Sequence, residues 1–398
     1  MQNITNRRAG WRVLAASTLA LALAACGAGQ EPADPAGTDT GAAAQAEDAE
    51  DRADRAREAA RGDGVTEAAA VPEAFATPMT PEDNIDSVAS WTGPDGKVLL
   101  LATAKSTHRL VVYDGATGAL VRHVGERGAG PGQFDRPNGI AVADDLAFVV
   151  ERDNHRVQVL RLPGMETVAE FGADVLQLPY GLWVNQVDGG YEVYVTDAYM
   201  AGEDAAGEDI LPPLAELDRR VQRFAFAATA DGGGYRASHI AAFGDTTPDG
   251  ALRVVESLWG DAANDRLLVA EEDETYANEF KVYDLAGSFS GRTIGGEFLQ
   301  AQAEGIMLKT CADGGGWWIT TEQGKGRTAF HLFERDSLAH AGAVAGPTVA
   351  NTDGIWLHDA PTAQFPDGVL YAVHDDQGAV AISWSDIASA LALPACAR

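Results

Sequence analysis

Carboxylates are the side chains of this sequence whose types and positions could carry chemistry. Six of them stand where an apolar run begins or has just ended: Asp86, Glu256, Glu271, Glu272, Glu304 and Asp353. Acids that are brought close together either hold protons or bind a cation. Oxygen ligands on flexible loops suit Ca²⁺ better than Zn²⁺, so we interpret the six as a calcium site. The alternative for any single acid is a turn residue that accepts hydrogen bonds from backbone amides.

Two cationic side chains accompany these acids. Lys105 and Arg152 each follow the second apolar run of their unit, at equivalent positions. Beside bound calcium they could hold an anion such as a phosphate group. The sequence lacks the GxSxG nucleophile elbow, the GxxxxGK[ST] phosphate loop and Cys/His clusters of zinc spacing, so it does not favour those chemistries.

A short phrase, repeated six times, positions these side chains. It consists of a polar residue, then Gly or Ser, and then an aliphatic residue that begins an apolar run. The copies are Asp86-Ser87-Val88, Asn138-Gly139-Ile140, Tyr180-Gly181-Leu182, Glu256-Ser257-Leu258, Glu304-Gly305-Ile306 and Asp353-Gly354-Ile355. A unit that recurs about every 50 residues indicates a propeller or a solenoid.

The phrase is followed in each unit by further short runs rich in β-branched and aromatic residues, separated by Gly, Asp and Pro turns, which predict strands. Six such units predict an all-β fold, a six-bladed β-propeller over residues 81–398, with the phrases beside the central channel. The last unit ends after its third strand, near Ser383-Trp384. We expect a strand around residues 71–79 to complete that blade and close the ring. Residues 201–218, acidic and containing Pro, are predicted to form a surface insertion.

The N-terminal residues predict export. Residues 1–25 contain Arg7, Arg8 and Arg12 followed by an apolar stretch too short to span a bilayer as a helix. The stretch ends at Cys26, so we interpret it as a lipoprotein signal peptide with Cys26 as the lipidated residue; an ordinary secretory signal is the alternative. Residues 26–80, acidic and Ala-rich, are expected to be a disordered tether. This places the protein at the bacterial cell envelope, anchored to the outer membrane through Cys26 alone.

The charge of the chain limits its partners. The formal net charge is −30, which disfavours nucleic acid and anionic membrane surfaces. We expect a monomer. Cys311 and Cys396 remain besides Cys26, and whether they pair is left open by the sequence.

Several segments share their residues and their order with one known family. They are Asp86-Ser87-Val88-Ala89-Ser90-Trp91, Leu268-Val269-Ala270-Glu271-Glu272-Asp273, Ala303-Glu304-Gly305-Ile306, Glu322-Gln323-Gly324 and Asn351-Thr352-Asp353-Gly354-Ile355. With them, most of residues 82–388 resembles the β-propeller phytases, which are six-bladed, calcium-dependent phosphatases.

The resemblance implies a 3-phytase-like phosphomonoester hydrolase that acts on a phosphate ester such as myo-inositol hexakisphosphate. It implies calcium ligands and phosphate-holding cations at seven positions: Asp86, Glu256, Glu272, Glu304 and Asp353 for calcium, and Lys105 and Arg152 for phosphate. Water activated by calcium would attack phosphorus. Lys105, Arg152 and Glu256 are the residues that we predict to be catalytic.

Three positions depart from the family pattern. Gln302 replaces an Asp, Thr196-Asp197-Ala198 stands where a further Lys is expected, and an aromatic is replaced near Asn185. A smaller phosphate ester, or a retained fold without catalysis, therefore stays open as an alternative.

A second resemblance covers one unit. The segments Gly128-Ala129-Gly130-Pro131-Gly132-Gln133-Phe134 and Asp153-Asn154-His155-Arg156-Val157-Gln158-Val159 resemble an NHL repeat. NHL propellers mostly bind other molecules, so the alternative function is a non-catalytic propeller that binds a protein or a glycan at the cell envelope.

Overall fold

Six antiparallel sheets follow one another along the chain in the computed structural model, which describes residues 66–205 and 209–396. The predicted signal peptide, Cys26 and residues 27–65 lie outside the described residues. The first strands are β1 (Ala69–Ala70) and β2 (Phe75–Ala76). Blade one consists of β3 (Ile85–Thr92), β4 (Val98–Ala104), β5 (Arg109–Asp114) and β6 (Leu120–Val124). Blade two consists of β7 (Pro137–Ala143), β8 (Leu146–Glu151), β9 (Arg156–Arg161) and β10 (Glu166–Phe171).

The remaining four blades repeat this arrangement. Blade three consists of β11 (Pro179–Val187), β12 (Gly190–Asp197), β15 (Val221–Ala228) and β16 (Tyr235–Phe243), with the inserted hairpin β13 (Gly202–Glu203) and β14 (Asp209–Ile210). Blade four consists of β17 (Leu258–Asp261), β18 (Arg266–Glu271), β19 (Glu279–Tyr283) and β20 (Phe289–Ile294). Blade five consists of β21 (Gln302–Thr310), β22 (Gly316–Gln323), β23 (Thr328–Glu334) and β24 (His340–Ala345). Blade six consists of β25 (Ile355–His358), β26 (Val369–His374) and β27 (Gly378–Ser383). The predicted six-bladed all-β propeller is confirmed.

The repeated phrase lines the central channel. All six Gly or Ser residues of the phrase, together with the aliphatic residues that follow them, line a narrow space of about 60 Å³.

Close approach between neighbouring inner strands explains why four of the six copies of the phrase contain Gly. A Cβ atom at position 181 would lie 2.1 Å from the carbonyl oxygen of Glu256, and one at position 139 would lie 2.6 Å from that of Tyr180. Hydrogen bonds join the blades at the same level: the Gly354 N–H donates to the Asp86 carbonyl at 3.1 Å. The phrase is thus the joint between consecutive blades.

Carboxylates near the end of the second strand hold the loop that leads into each of four blades. Glu151 accepts the N–H of Asp135, Asp197 those of Gln177 and Leu178, Glu271 those of Arg253 and Val254, and Glu322 those of Gln300 and Ala301. Burial raises the pKa of Glu271 to about 7, although these amides and nearby cations oppose the shift. Each of these loops ends at a copy of the phrase, so the four acids position the phrase relative to its own blade.

In blade five the capping acid, Glu322, is linked to two histidines. Nε2 of His331 lies 2.9 Å from Glu322, and Nδ1 of His331 lies 3.0 Å from Nε2 of His340. The N–H of Thr66 also donates to Glu322, at 3.0 Å. Burial, with a smaller contribution from the charge of His331, lowers the pKa of His340 to about 4.

Two short N-terminal strands close the ring. Phe75 and Ala76 of β2 pair with Ala381 and Val380 of β27, which adds a fourth strand to blade six. The closing strand expected around residues 71–79 is confirmed. In addition, β1 pairs in parallel with β24 of blade five. The tether therefore cannot extend to residue 80 as expected, because residues 69–76 already pair with two blades.

Two features lie outside the repeating pattern. The insertion predicted at residues 201–218 contains β13, β14 and a short 3₁₀ helix, Leu214–Glu216. After β27 the chain forms the helix α1 (Trp384–Ala390), and Cys396 is disulfide-bonded to Cys311, which resolves the pairing that the sequence left open.

Among the described residues, no helix has the length and apolar character that a membrane span requires.

Phe75 offers a test of ring closure. Its ring contacts Phe365 and Tyr371 at centroid distances of 6.4 Å each. Because Phe75→Ala removes this half-buried ring, we expect the free energy of unfolding to fall by about 2 kcal/mol, measured by urea denaturation. Val121→Ala, at a side chain 53% exposed on β6, is the control and should change stability by less than about 0.5 kcal/mol. An unchanged urea midpoint after deletion of residues 67–80 would contradict the closing role.

The low pKa of His340 predicts a pH-dependent stability. Between pH 6.5 and about 4 the unfolded chain takes up a proton that the folded chain excludes, so stability is lost as the pH falls through this window. Allowing for partial exposure, the loss attributable to His340 is about 1–2 kcal/mol. Urea midpoints measured across this range should depend less on pH in His340→Phe than in the wild type. His123→Gln, at an exposed position of β6, should keep the wild-type slope; equal slopes in all three proteins would refute the assignment.

Candidate functional site

Backbone hydrogen bonds show which residues occupy equivalent positions at the mouth of the channel. The N–H of Lys105 donates to Asn84, that of Arg152 to Arg136 and that of Glu272 to Val254, at 2.9, 3.0 and 3.1 Å. Each acceptor stands two residues before the first residue of a phrase. Lys105, Arg152 and Glu272 therefore occupy the same position in blades one, two and four, next to the phrases.

Three of the predicted metal ligands converge at this mouth. Glu256 and Glu304 begin the phrases of blades four and five, and Glu272 ends the second apolar run of blade four. Carboxylate oxygens of these three residues lie within 4.8 Å of one another, and we call them the glutamate triad. Glu272 and Glu304 are buried, at 3% and 4% exposure, whereas Glu256 is partly exposed.

The geometry of the glutamate triad fits Ca²⁺. Calcium binds carboxylate oxygens at about 2.4 Å, so oxygens up to about 4.8 Å apart can share one ion. The donors are all hard oxygens, which disfavours thiophilic metals. Glu272 is additionally held in place because one of its oxygens accepts the N–H of Ser257 at 3.1 Å.

Two further predicted ligands form a separate group around Lys105. The ammonium of Lys105 lies 3.0 Å from Asp86 and 3.7 Å from Asp353. Burial by itself would lower the pKa of Lys105, but attraction to Asp86, Asp353 and Asp376 outweighs it and holds that pKa well above its usual value. Lys105 is thus a buried ammonium paired with carboxylates, and Asp86 and Asp353 stand outside the glutamate triad.

Neutral donors complete the group around Lys105. The Tyr180 hydroxyl donates to Asp86 at 3.2 Å, and the Asn138 amide lies 3.5 Å from the same carboxylate. The Gln323 amide donates to Asp353. Burial and the charge of Asp376 raise the pKa of Asp353, and Lys105 partly offsets this.

Two predicted site residues, Glu271 and Arg152, make contacts other than those predicted for them. Both oxygens of Glu271 accept backbone amides of the loop before blade four, so its geometry supports the alternative of a turn acid and not that of a metal ligand. Arg152 lies at the position equivalent to Lys105, but its guanidinium donates to Asp153 at 2.8 Å and its side chain is 29% exposed. Among the two predicted phosphate-binding cations, Arg152 is therefore the more accessible.

At the positions that depart from the phytase pattern, the residues form hydrogen bonds or strand pairs within the propeller. The Gln302 amide donates to the carbonyl of Glu272 at 3.4 Å. The Thr196 hydroxyl donates to the carbonyl of Glu256 at 2.8 Å, and Asp197 caps the loop before blade three. Asn185 pairs across the strand with Glu192, further along β11 than Tyr180. Asn185 therefore does not belong to the mouth that carries the glutamate triad.

Some residues of the site were not found from the sequence. Tyr180 and Asn138 are the uncharged copies of the first phrase position, and their place in the repeat is the signal that would have placed them beside Asp86. Gln323 follows a capping acid, as Glu272 does, which would have indicated a side chain at the mouth. Asp376 follows the second apolar run of blade six, as Lys105 and Arg152 follow theirs in blades one and two, and this place in the repeat is the signal that would have indicated it.

The NHL-like residues of blade two form a network within that blade. The guanidinium of Arg156 donates to Glu151 at 2.7 Å and to the carbonyl of Ala129 at 2.8 Å. The Gln158 amide oxygen accepts the N–H of Gly132 at 2.7 Å. These contacts fold the Gly-rich loop against β8 and β9, so the pattern has a structural explanation.

Comparison with known protein families identifies one repeat. The family model of the NHL repeat matches residues 134–160. No curated protein sequence matches the chain significantly.

Solved structures with a similar arrangement are varied. A chain of the hydrazine synthase of Kuenenia stuttgartiensis is 14% identical, with 74% of each chain covered and a TM-score of 0.41. A chain of a nidogen/laminin complex is 14% identical, with 69% of this chain and 85% of that chain covered and a TM-score of 0.43. A chain from a structure of BBS1N in complex with ARL6DN is 12% identical, with 80% and 97% covered and a TM-score of 0.45. Sequence identities and TM-scores as low as these carry no information about activity. The chain is a six-bladed β-propeller that contains an NHL repeat.

Proposed function

We propose that this propeller is a calcium-dependent phosphomonoester hydrolase of the phytase type. The observation that carries the proposal is the glutamate triad, because three acids predicted as ligands from separate parts of the sequence meet at the channel mouth. The substrate class is a small phosphate ester, and myo-inositol hexakisphosphate is one candidate.

The charge at the mouth explains why such an enzyme would require a metal. Five carboxylates, those of the glutamate triad, Asp86 and Asp353, belong to this mouth, and one buried ammonium, that of Lys105, pairs with the last two. Without further positive charge this mouth repels a phosphate dianion. Calcium would supply that charge, and it would also lower the pKa of a bound water and stabilise negative charge on phosphate oxygens.

The residues of the chain would divide the remaining tasks. Glu272 and Glu304, both buried, would hold the cation. Glu256 is the most exposed member of the glutamate triad, so it is placed to accept a proton from the attacking water. When the substrate binds, the guanidinium of Arg152 would leave Asp153 and bind phosphate oxygens, since a guanidinium binds phosphate in a bidentate manner. Lys105 would fix Asp86 and Asp353 and add positive charge at the edge of the mouth.

A second candidate is a propeller that binds a protein or a glycan without catalysis. The observation that favours it is the pairing of Lys105 with two carboxylates, which leaves less positive charge for phosphate. Gln302, in place of an acid, points in the same direction by reducing the number of ligands.

We also propose that the protein is located at the bacterial cell envelope. Lipidation at Cys26 would anchor the chain to the outer membrane, with the propeller in the periplasm or outside the cell. The bond between Cys311 and Cys396 supports an oxidising compartment.

Calcium binding can be measured as stabilisation of the full chain. At a hundredfold excess over its Kd, calcium should add about 2.7 kcal/mol to the free energy of unfolding, seen as a rise in Tm that EDTA reverses. Glu304→Gln should lose most of this rise, and its Tm without calcium should not fall, because the substitution removes repulsion within the glutamate triad. Glu126→Gln, which changes an exposed acid outside the triad, is the matched control and should keep the full rise. A wild-type Tm that does not respond to calcium would refute the metal site.

Phosphate release tests catalysis separately. The full chain with Ca²⁺ should release phosphate from phytate or a simpler monoester, EDTA should abolish the release, and Glu256→Gln and Arg152→Ala should each reduce kcat/KM by about 100-fold or more. Circular dichroism of each variant checks the fold. A chain that binds calcium but releases no phosphate from any ester tested would support the non-catalytic alternative.

A further inference from the structure

Glu256 is held differently from the other two members of the glutamate triad. Glu304 lies within β21, and Glu272 directly follows β18. Glu256 instead precedes β17, which begins only at Leu258, and it is the member that is partly exposed. The position of its carboxylate is therefore set by the contacts of residues 252–256, which lead into blade four and which we call the entry loop.

Buried side chains of blade three hold the carbonyl groups of the entry loop. Arg220 directly precedes β15, and its guanidinium donates to the carbonyls of Leu252 and Arg253, at 3.0 and 2.5 Å. The Thr196 hydroxyl, on β12, donates to the carbonyl of Glu256 itself, at 2.8 Å. Both side chains belong to residues with 0% exposure. The entry loop of blade four is thus attached to the preceding blade at three of its carbonyls.

The same guanidinium is anchored on its own blade. Arg220 also donates to the carbonyls of Tyr199 and Asp197, at 2.6 and 3.2 Å. These four contacts all go to backbone oxygens, so the guanidinium links two segments of backbone. It is therefore not placed to bind phosphate, unlike Arg152, whose side chain is 29% exposed.

Blade four holds the amide groups of the entry loop. Glu271 accepts the N–H groups of Arg253 and Val254, at 3.1 and 3.3 Å. The entry loop thus lies between an acid of its own blade, which binds its amides, and an arginine of the preceding blade, which binds its carbonyls. Loss of the contacts on one side leaves buried polar groups without partners. The loop would then shift, and the carboxylate of Glu256 would shift with it.

Such a shift matters for calcium because the carboxylate oxygens of the glutamate triad must stay within 4.8 Å of one another to share an ion. Groups that orient the ligands of a metal without touching it typically contribute about 10- to 100-fold to its affinity. The contacts from blade three are of this kind, since they reach the backbone of Glu256 and not its carboxylate.

We propose that Arg220 and Thr196 of blade three are positioning residues for Glu256, so that calcium binding at the glutamate triad requires the contact between blades three and four. This inference rests on the proposed function, because it concerns Glu256 as a calcium ligand. It adds that a blade with no carboxylate in the glutamate triad sets the affinity of the site.

The Thr196 contact can be removed with little change in shape. Thr196→Val should weaken calcium binding to the full chain by about tenfold, measured by calorimetric titration, and Thr196→Ser, which restores the hydroxyl, should bind as the wild type does. Thr103→Val is the matched control. The Thr103 hydroxyl makes the same contact between blades one and two, donating to the carbonyl of Asn138 at 2.5 Å, and both hydroxyls accept the N–H of the second phrase residue of their own blade. This control should keep the wild-type Kd.

Arg220→Lys tests the guanidinium while its charge is kept. One ammonium cannot join the four carbonyls that the planar guanidinium joins, so we expect the Kd for calcium to rise by about tenfold or more. The control is Arg335→Lys. Arg335 is a buried arginine that donates to Asp261 at 2.7 Å and to the carbonyl of Gly314 at 2.8 Å, and Asp261 lies at the end of β17 remote from the entry loop. This variant should lose stability in urea denaturation and keep the wild-type Kd.

The results separate this inference from the proposed function. If the wild type binds calcium and both blade-three variants keep its Kd, the positioning role is overturned and the metal site stands. If the two control variants lose as much affinity as the blade-three variants, the effect follows from lost stability, and the positioning role is again overturned. A wild type that binds no calcium overturns both. If Arg220→Lys does not fold, Thr196→Val decides alone.

Discussion

Contact between neighbouring inner strands is the constraint on which the rest of the propeller depends. At the junctions where the phrase contains Gly, the backbone of one phrase approaches the next so closely that a side chain at position 139 or 181 would overlap a carbonyl oxygen. The backbone and side-chain hydrogen bonds at this level can form only at that distance. The same contact leaves a narrow space of about 60 Å³ between the inner strands.

The constraint also explains why charged groups collect at one end. The residue before each Gly or Ser must lie at the mouth, so an acid there meets acids of the neighbouring blades whatever its own role. The structure divides these acids into two groups with different electrostatics. Asp86 and Asp353 pair with Lys105, whereas the carboxylate oxygens of the glutamate triad lie within 4.8 Å of one another. Ionised carboxylates at this distance repel one another.

The sequence predicted the architecture well because its repeat is both regular and specific. The six phrases, the closing strand and the three-stranded last blade could all be identified from spacing and turn residues. The individual acids were harder to assign. Glu271 and Glu272 are adjacent, and adjacent residues of a strand point to opposite sides. The residue pattern alone did not separate them, although the resemblance implied Glu272 as the ligand; in the structure Glu271 caps a loop and Glu272 joins the glutamate triad. Likewise, β1 is only two residues long, which is too short to leave a periodic pattern, so its pairing with blade five was not predicted.

Closure by β1 and β2 has a consequence for the order of events during synthesis. The segment that completes blades five and six emerges from the ribosome before any complete blade exists, and its partners, β24 and β27, are made last. Four blades can pair their strands locally as they appear. The ring itself must wait until both ends of the propeller sequence are present, and this pairing has the longest sequence separation in the fold. Contacts of that kind form slowly, so the nascent propeller exists for a time as an open arc with an unpaired edge.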